Sequence, residues 1–211
     1  MSARITAVNL LEIDDFLSAQ PAAARTSARI AINSVTSRKA VPQMRKAMKD
    51  EVNFPPGYLE DTERFGQTKR ATDADLTAAI TARFRPTSLA RFAEGQSFEG
   101  ARRTGGVRVK VNRGGGAKRI EGGFFVRLRR GADASDGFNV GLAIRLKPGD
   151  RLRGRKKGGA GVQLAPDLYL LYGPSVDQVF RQASVAESPS VADQLQREFI
   201  RQFVRLSGSV K

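Results

Sequence analysis

The stretch LYLLYGPSVDQVF, residues 168–180, restricts the fold more than any other part of the chain. Leu168, Tyr169, Leu170, Leu171 and Tyr172 form an apolar run of strand length, and Gly173-Pro174 is a turn signal that should end it. Ser175 then stands where it can accept from the N–H groups of a first helical turn, with Gln178 placed to reach back as in a capping box. Val176, Val179 and Phe180 share one helical face by their i, i+3, i+4 spacing. A strand followed directly by a helix, both nearly uncharged, reads as a core element, with a partner surface as the alternative.

That lack of charge is unusual here, because the chain carries 36 Lys and Arg against 21 Asp and Glu, a formal net charge of +15. The excess is local: residues 101–160 hold 17 basic and 4 acidic side chains. Such a field calls for an acidic partner, whether nucleic acid, an anionic membrane or an acidic protein surface. The apolar runs are too short for a bilayer span, and MSARITAVNLLEIDDF lacks the layout of a signal peptide, so the expectation is a cytosol-made, water-soluble protein. At 211 residues the expected organisation is one domain over 1–211, with a Gly/Arg-rich basic hairpin arm at about 101–160.

The sequence has neither Cys nor His. Zinc sites, Ser-His-Asp triads and Cys-His pairs each need one of the two. The remaining chemistry is that of carboxylates, Lys and hydroxyls, and the carboxylate pairs are Asp14-Asp15, Glu60-Asp61 and Asp73/Asp75. Asp14-Asp15 falls near a helix start, and Asp73 and Asp75 fall in the first turn of a helix expected over ATDADLTAAI, where negative charge suits the dipole. A solvated or capping role is therefore expected, with no catalytic, cofactor or metal residue and no enzyme activity. A carboxylate-dependent nuclease finds no D/E-x-K cluster among the expected strands.

Residues 21–49 read as a long helix started by Pro21, with Pro42 forcing a kink or a break near Val41. FPPG at 54–57 closes the region and permits a short helix over Tyr58 to Phe65. Ile80, Ala82 and Phe84 alternate as in a strand. In GVRVKVNRGGG, 106–116, Val107, Val109 and Val111 alternate with Arg108 and Lys110 before a glycine-rich turn. FFVRLRR, 124–130, repeats the pattern with Phe124, Val126 and Leu128 inward and Arg127 and Arg129 outward. FNVGLAIRLK, 138–147, is a further strand, and RLRGRKKGGAG, 151–161, a flexible cationic loop. The chain closes on an amphipathic helix capped by Ser190, with Val191, Leu195, Phe199, Phe203 and Leu206 facing the core.

The candidate contact surface for DNA or an acidic partner is Arg102, Arg103, Arg108, Lys110, Arg113, Lys118 and Arg119, together with Arg151, Arg153, Arg155, Lys156 and Lys157. Lys and Arg supply sequence-independent, salt-sensitive attraction to phosphates, and glycines let the backbone approach. Guarding of sheet edges is the competing role, but 17 basic groups exceed what that requires. The segment lacks zinc-finger spacing and RNA-recognition aromatics, so base readout is not expected. The candidate core or subunit-contact residues are Leu170, Tyr172, Val176, Phe180, Leu195, Phe199 and Phe203.

Taken in order, these landmarks resemble the minor tail protein Z family, the tail-completion proteins of long-tailed phages. The resemblance rests on ARIAINSVTSRKAVPQMRKAMKDEVNFPPGYLEDTERFGQTKRAT, 28–72, where an Ala-Ile-Asn helix leads to a basic helix and a closing Lys-Arg-Ala-Thr. The glycine-rich basic hairpins, YGPSVDQVF and the final DQLQREFIRQF support it; the Gly/Arg stretch at 148–161 departs from it. The resemblance implies an α+β fold, with a long kinked N-terminal helix and C-terminal helices packed on a mainly antiparallel sheet. It implies a structural virion protein at the head-proximal end of the tail, acting in tail completion and head–tail joining at the neck. It further implies a homo-oligomeric ring of six copies near the exiting DNA, in contact with other neck and tail proteins and away from membranes. The competing function is a sequence-nonspecific nucleic-acid-binding protein acting outside a virion, which the charge supports equally.

Overall fold

A computed structural model describes residues 22–94, 106–128, 140–147 and 161–207. It is α+β, with antiparallel strand pairing throughout the described residues. The chain divides into two compact units, each assembled from separated segments.

The first unit takes in the described parts of Met1–Met48, Gly57–Phe84 and Val176–Lys211. It opens with α1 (Ala22–Val35), whose inward face is a run of small residues, Ala24, Ser27, Ala28 and Ala31, ending in Ile32 and Val35. Ser27 is fully buried, and its hydroxyl donates to the Ala23 carbonyl at 2.7 Å, so no polar group is left unpaired there. A π-helical turn, Thr36–Ala40, links α1 to α2 (Val41–Glu51), with the Val41 N–H bonded back to the Thr36 carbonyl. Pro42 has no N–H and its ring would strike the carbonyl of Arg38 in a tight α-turn; the wider π-turn relieves that clash. The helical path therefore continues across Pro42 where a break was the alternative.

The helix expected over Tyr58 to Phe65 is absent, and turns occupy residues 56–64. Gly57 has φ +72°, and the Asp61 carboxylate accepts from the Glu63 N–H at 2.9 Å, a local bond that competes with helix formation. The buried Arg64 stacks on Tyr58, 4.4 Å from the ring centre, and its guanidinium lies 3.3 Å from Asp61. Strands β1 (Phe65–Lys69) and β2 (Ala79–Ala82) follow as a two-stranded ribbon. The stretch between them is not helical either: Asp75 is held in a loop by its own side-chain bonds.

This unit closes with α3 (Val176–Ser207), one 32-residue helix through Pro189. Two helices, the second capped by Ser190, were expected; Ser190 is instead an interior residue whose Oγ accepts from Gln194 at 3.1 Å. Both halves of α3 are anchored in the same unit. Val176, Val179, Phe180 and Ala183 are buried near its start, and Leu195, Phe199 and Phe203 pack on Ala24, Ala28 and Ile32 of α1 near its end. Pro189 lies on the exposed side of the helix, where the carbonyl it leaves unpaired is open to water. Phe65 and Phe180 meet at the centre of the unit with ring centroids 5.3 Å apart.

The second unit takes in Lys49–Pro56 and the described parts of Arg85–Ser175. Its elements are β3 (Pro86–Ser88), a 3-10 turn at Leu89–Phe92, β4 (Val107–Val109), β5 (Lys118–Ile120), β6 (Gly123–Arg127), β7 (Val140–Arg145), β8 (Gly161–Ala165) and β9 (Leu168–Ser175). The main sheet runs β3-β9-β7-β6, with β8 also on β9. β9 does not stop at Gly173-Pro174. Between the pairs Ser88↔Tyr172 and Pro86↔Ser175 its strand carries an extra residue, and Gly173-Pro174 falls in that bulge, a place where proline needs no ladder N–H. Gly173 leaves room for the Phe92 ring, which would have to shift for a Cβ placed 2.8 Å from it. Gly141 likewise makes room for Leu170, whose Cδ1 would be 2.2 Å from an added Cβ. The alternation expected in β6 is blurred: Phe124, Phe125 and Val126 are all half-buried, and Leu128 is exposed.

Candidate functional site: the basic hairpin

β4 and β5 form an antiparallel pair with Val107 opposite Ile120, Arg108 opposite Arg119 and Val109 opposite Lys118. Because side chains alternate across a strand, Val107 and Val109 go inward, 2% and 4% exposed, and Arg108 goes outward. The pairing is fixed at its base by Gly106, with φ +73° and an added Cβ placed 2.3 Å from the Ile120 carbonyl oxygen. No other residue type fits. The far end turns through Asn112 to Ala117, closed by a bond from Gly115 N–H to the Asn112 carbonyl at 3.2 Å.

The first strand of the hairpin is knitted into the unit on its other edge. Lys110 N–H donates to the Phe92 carbonyl at 2.8 Å, Glu94 N–H donates to the Arg108 carbonyl at 3.1 Å, and Asn53 N–H donates to the Val111 carbonyl at 2.7 Å. Its charged side chains thus project from a backbone held on both sides.

The twelve candidate cations fall into three groups. Arg102, Arg103, Arg151, Arg153, Arg155, Lys156 and Lys157 lie outside the described residues. Arg108, Lys118 and Arg119 are exposed on the hairpin and Lys110 is half-buried there. Arg113 has work inside the protein. Its N–H donates to the Glu51 carbonyl at 3.0 Å, its guanidinium donates to the Lys49 carbonyl at 3.3 Å, and Asp50 lies 4.0 Å away. It therefore occupies carbonyls that α2 leaves unpaired at its C-terminal end, where a cation is also favoured by the helix dipole.

Of the core or contact candidates, Leu170, Val176 and Phe180 are buried and Tyr172 is half-buried. Leu195, Phe199 and Phe203 are half-buried against α1. The uncharged stretch 168–180 thus supplies the centre of one sheet and the buried start of α3.

One constellation escaped the sequence reading. Arg25, Arg29 and Asn33, four residues apart on α1, hold the loop between β1 and β2: Arg25 donates to the Asp73 carbonyl at 2.9 Å, Arg29 pairs with the Asp73 carboxylate at 2.8 Å, and Asn33 bonds Ala71. The i, i+4, i+8 spacing was the available signal. Asp75 accepts from Lys69 and, at 2.6 Å, from the Thr77 hydroxyl. The Lys69 bond first, and then Thr77, bring its carboxyl from the ordinary range down to about 2. Asp14-Asp15 lies outside the described residues, while Asp61, Asp73 and Asp75 are engaged in these turn and ion-pair bonds.

Among protein-family models, curated proteins and solved structures, none matches this chain.

Proposed function

We propose that this chain is a structural virion protein of a tailed phage, acting in tail completion and head–tail joining at the neck. On this reading it is a subunit of a ring, with six copies set by the tail's symmetry, near the exiting DNA and in contact with other neck and tail proteins. The long kinked N-terminal helix and the C-terminal helix serve as frame, and the basic arms around 101–160 are presented by many copies at once, which multiplies weak contacts. The observation that carries the reading is the segregation of charge. The cationic side chains at 108–119 occupy a hairpin whose apolar face is buried, and the stretch at 168–180 that builds the interior is nearly free of charge. A second observation supports it. Asn33 and the Lys-Arg-Ala-Thr segment, two of the pieces on which the resemblance rests, are bonded to one another.

The test is whether the chain is present in purified phage particles of its source, and whether its loss yields filled heads and separate tails that fail to join. Particles lacking the chain, together with normal tails in its absence, would rule the reading out and leave a nucleic-acid-binding protein acting outside a virion.

A further inference from the structure

We infer that the exposed face of α3 docks on the same face of a second copy of this chain, the two helices running antiparallel about a two-fold axis at the level of Leu195. This goes beyond the reading above and does not rest on it, because a two-fold contact closes on two copies and generates no ring by itself.

α3 is a helix with two uses. Its Leu195, Phe199 and Phe203 pack on α1. A separate line of residues, Ala186, Ser190, Asp193, Arg197, Ile200 and Val204, is exposed throughout and advances by four, three, four, three and four. That is the spacing of a coiled-coil seam, which two helices close at a shallow crossing of about 20°. Ile200 is 52% exposed and Val204 64%, large apolar side chains left in water along one line.

The seam is complementary to itself when reversed. About residue 195, Asp193 stands opposite the partner's Arg197, Ile200 opposite the partner's Ser190, and Val204 opposite the partner's Ala186. Base meets acid, and large meets small, in every layer. A parallel pairing would set Asp193 on Asp193 and Arg197 on Arg197, which is repulsive. Within one chain these two charges are idle: neither side chain has a hydrogen bond or ion pair, although Arg181 with Asp177 and Arg201 with Glu198 are paired on the same helix. A charged layer in such a seam fixes register and orientation at a cost in affinity.

A second copy also suits the charge of the helix as a whole. The chain is strongly basic, but α3 carries four acidic residues, Asp177, Glu187, Asp193 and Glu198, against four arginines. A helix with no net charge selects neither an acidic nor a basic partner, and it does not repel its own copy. Three layers make a contact at the low end of interface size, so the dimer should be weak, with a Kd of roughly 10 to 100 µM.

The test is sedimentation of the full chain from about 1 to 200 µM at about 0.15 M salt, where the mass should rise toward two copies. Asp193→Arg and Arg197→Asp should each be monomeric alone, and an equimolar mixture of the two should dimerise, because each then meets its opposite. Asp193→Asn with Arg197→Gln should weaken the dimer several-fold; a tighter dimer would mean parallel helices and overturn the assignment. Ile200→Asn with Val204→Asn should raise the Kd more than tenfold with an unchanged circular dichroism spectrum. Val162→Asn with Leu164→Asn, which alters exposed apolar residues of β8, should leave the Kd as it is, and an equal loss there overturns the proposal. So does a mixture of the two charge variants that stays monomeric. A wild-type chain that is monomeric at every concentration overturns it too and assigns the face to a different protein. None of these outcomes depends on whether the chain is found in particles, so this inference and the virion reading can fail separately.

Discussion

Asn33 on α1 completes both backbone hydrogen bonds of Ala71, its Nδ2 donating to the carbonyl and its Oδ1 accepting from the N–H, each at 2.9 Å. A side-chain amide here takes the place of a neighbouring strand. Ala71 is buried, so both of its groups would otherwise lose water without gaining a partner. Replacing Asn33 by Leu should therefore cost about 2 kcal/mol or more in chemical denaturation. Asn33→Asp, which keeps the acceptor and loses the donor, should cost roughly half as much. Equal stability of Asn33→Leu and wild type would show that the loop is held by Arg25 and Arg29 alone.

The same loop sets a pH response. The folded-state pKa of Asp75 is depressed to about 2, chiefly by its bond from Lys69 and then by Thr77. A depressed carboxyl contributes stability that is present above its ordinary pKa and is lost as pH falls through the folded value. The contribution should thus be complete at neutral pH and fade from roughly pH 4 to 2. It should also weaken with added salt, because the pair is exposed. An NMR titration of the Asp75 carboxyl is the direct check; a midpoint near 4 contradicts it, and Asp75→Asn should remove the corresponding acid limb.

How far these features can be read from sequence depends on whether the deciding bonds are local. The alternation Val107, Arg108, Val109 needs only a half-buried strand and is legible. So is the Leu195, Phe199, Phe203 spacing that packs on α1. Three local signals were outweighed. Gly173-Pro174 reads as a turn but sits in a bulge, because β9 is held by partners far away in the chain. Ser190 reads as a cap but lies inside α3, because burial at both ends of that helix carries it past Pro189. The first turn of ATDADLTAAI reads as helix, yet Lys69 and Arg29 bind its carboxylates from outside it. For Arg113, sequence alone cannot distinguish a cation that caps α2 from one that faces a ligand.

Gly106 and Gly114 separate steric necessity from simple openness within one hairpin. Gly106→Ala puts a side chain at positive φ and against the Ile120 carbonyl, and should cost about 2 to 3 kcal/mol and loosen the β4–β5 pairing. Gly114→Ala meets no atom within 4 Å and should be neutral or slightly stabilising, by up to about 0.5 kcal/mol. Hydrogen exchange at Val109 and Ile120 alongside denaturation resolves the two cases; similar costs at both positions would mean that the Gly106 conformation is not the constraint.

Phe199 and Phe203 stack with centroids 6.0 Å apart and lie on the small-residue face of α1. Both are half-buried, so Phe199→Ala should cost about 2 kcal/mol, less than the about 3 to 5 kcal/mol typical of a fully buried ring. Phe180→Ala, at a site with 0% exposure, should reach that higher range. Comparable losses at the two positions would mean that α3 is supported evenly along its length.

Pro189 is the cleanest place to improve the chain. It sits inside α3 on the exposed side, four residues after the exposed Val185, so replacing it by Ala restores a backbone bond to the Val185 carbonyl without filling any buried space. Proline in a helix interior costs about 3 kcal/mol relative to alanine, and some of that is already relieved by water at the open carbonyl, so a gain of about 1 to 3 kcal/mol is expected. The unfolded chain gains freedom at the same time, which works against the substitution by a few tenths to about 1 kcal/mol. A net rise in denaturation midpoint with unchanged m-value would show that the helix tolerates proline at a cost to stability. A fall would mean that Pro189 sets a bend which the packing of Leu195, Phe199 and Phe203 on α1 requires.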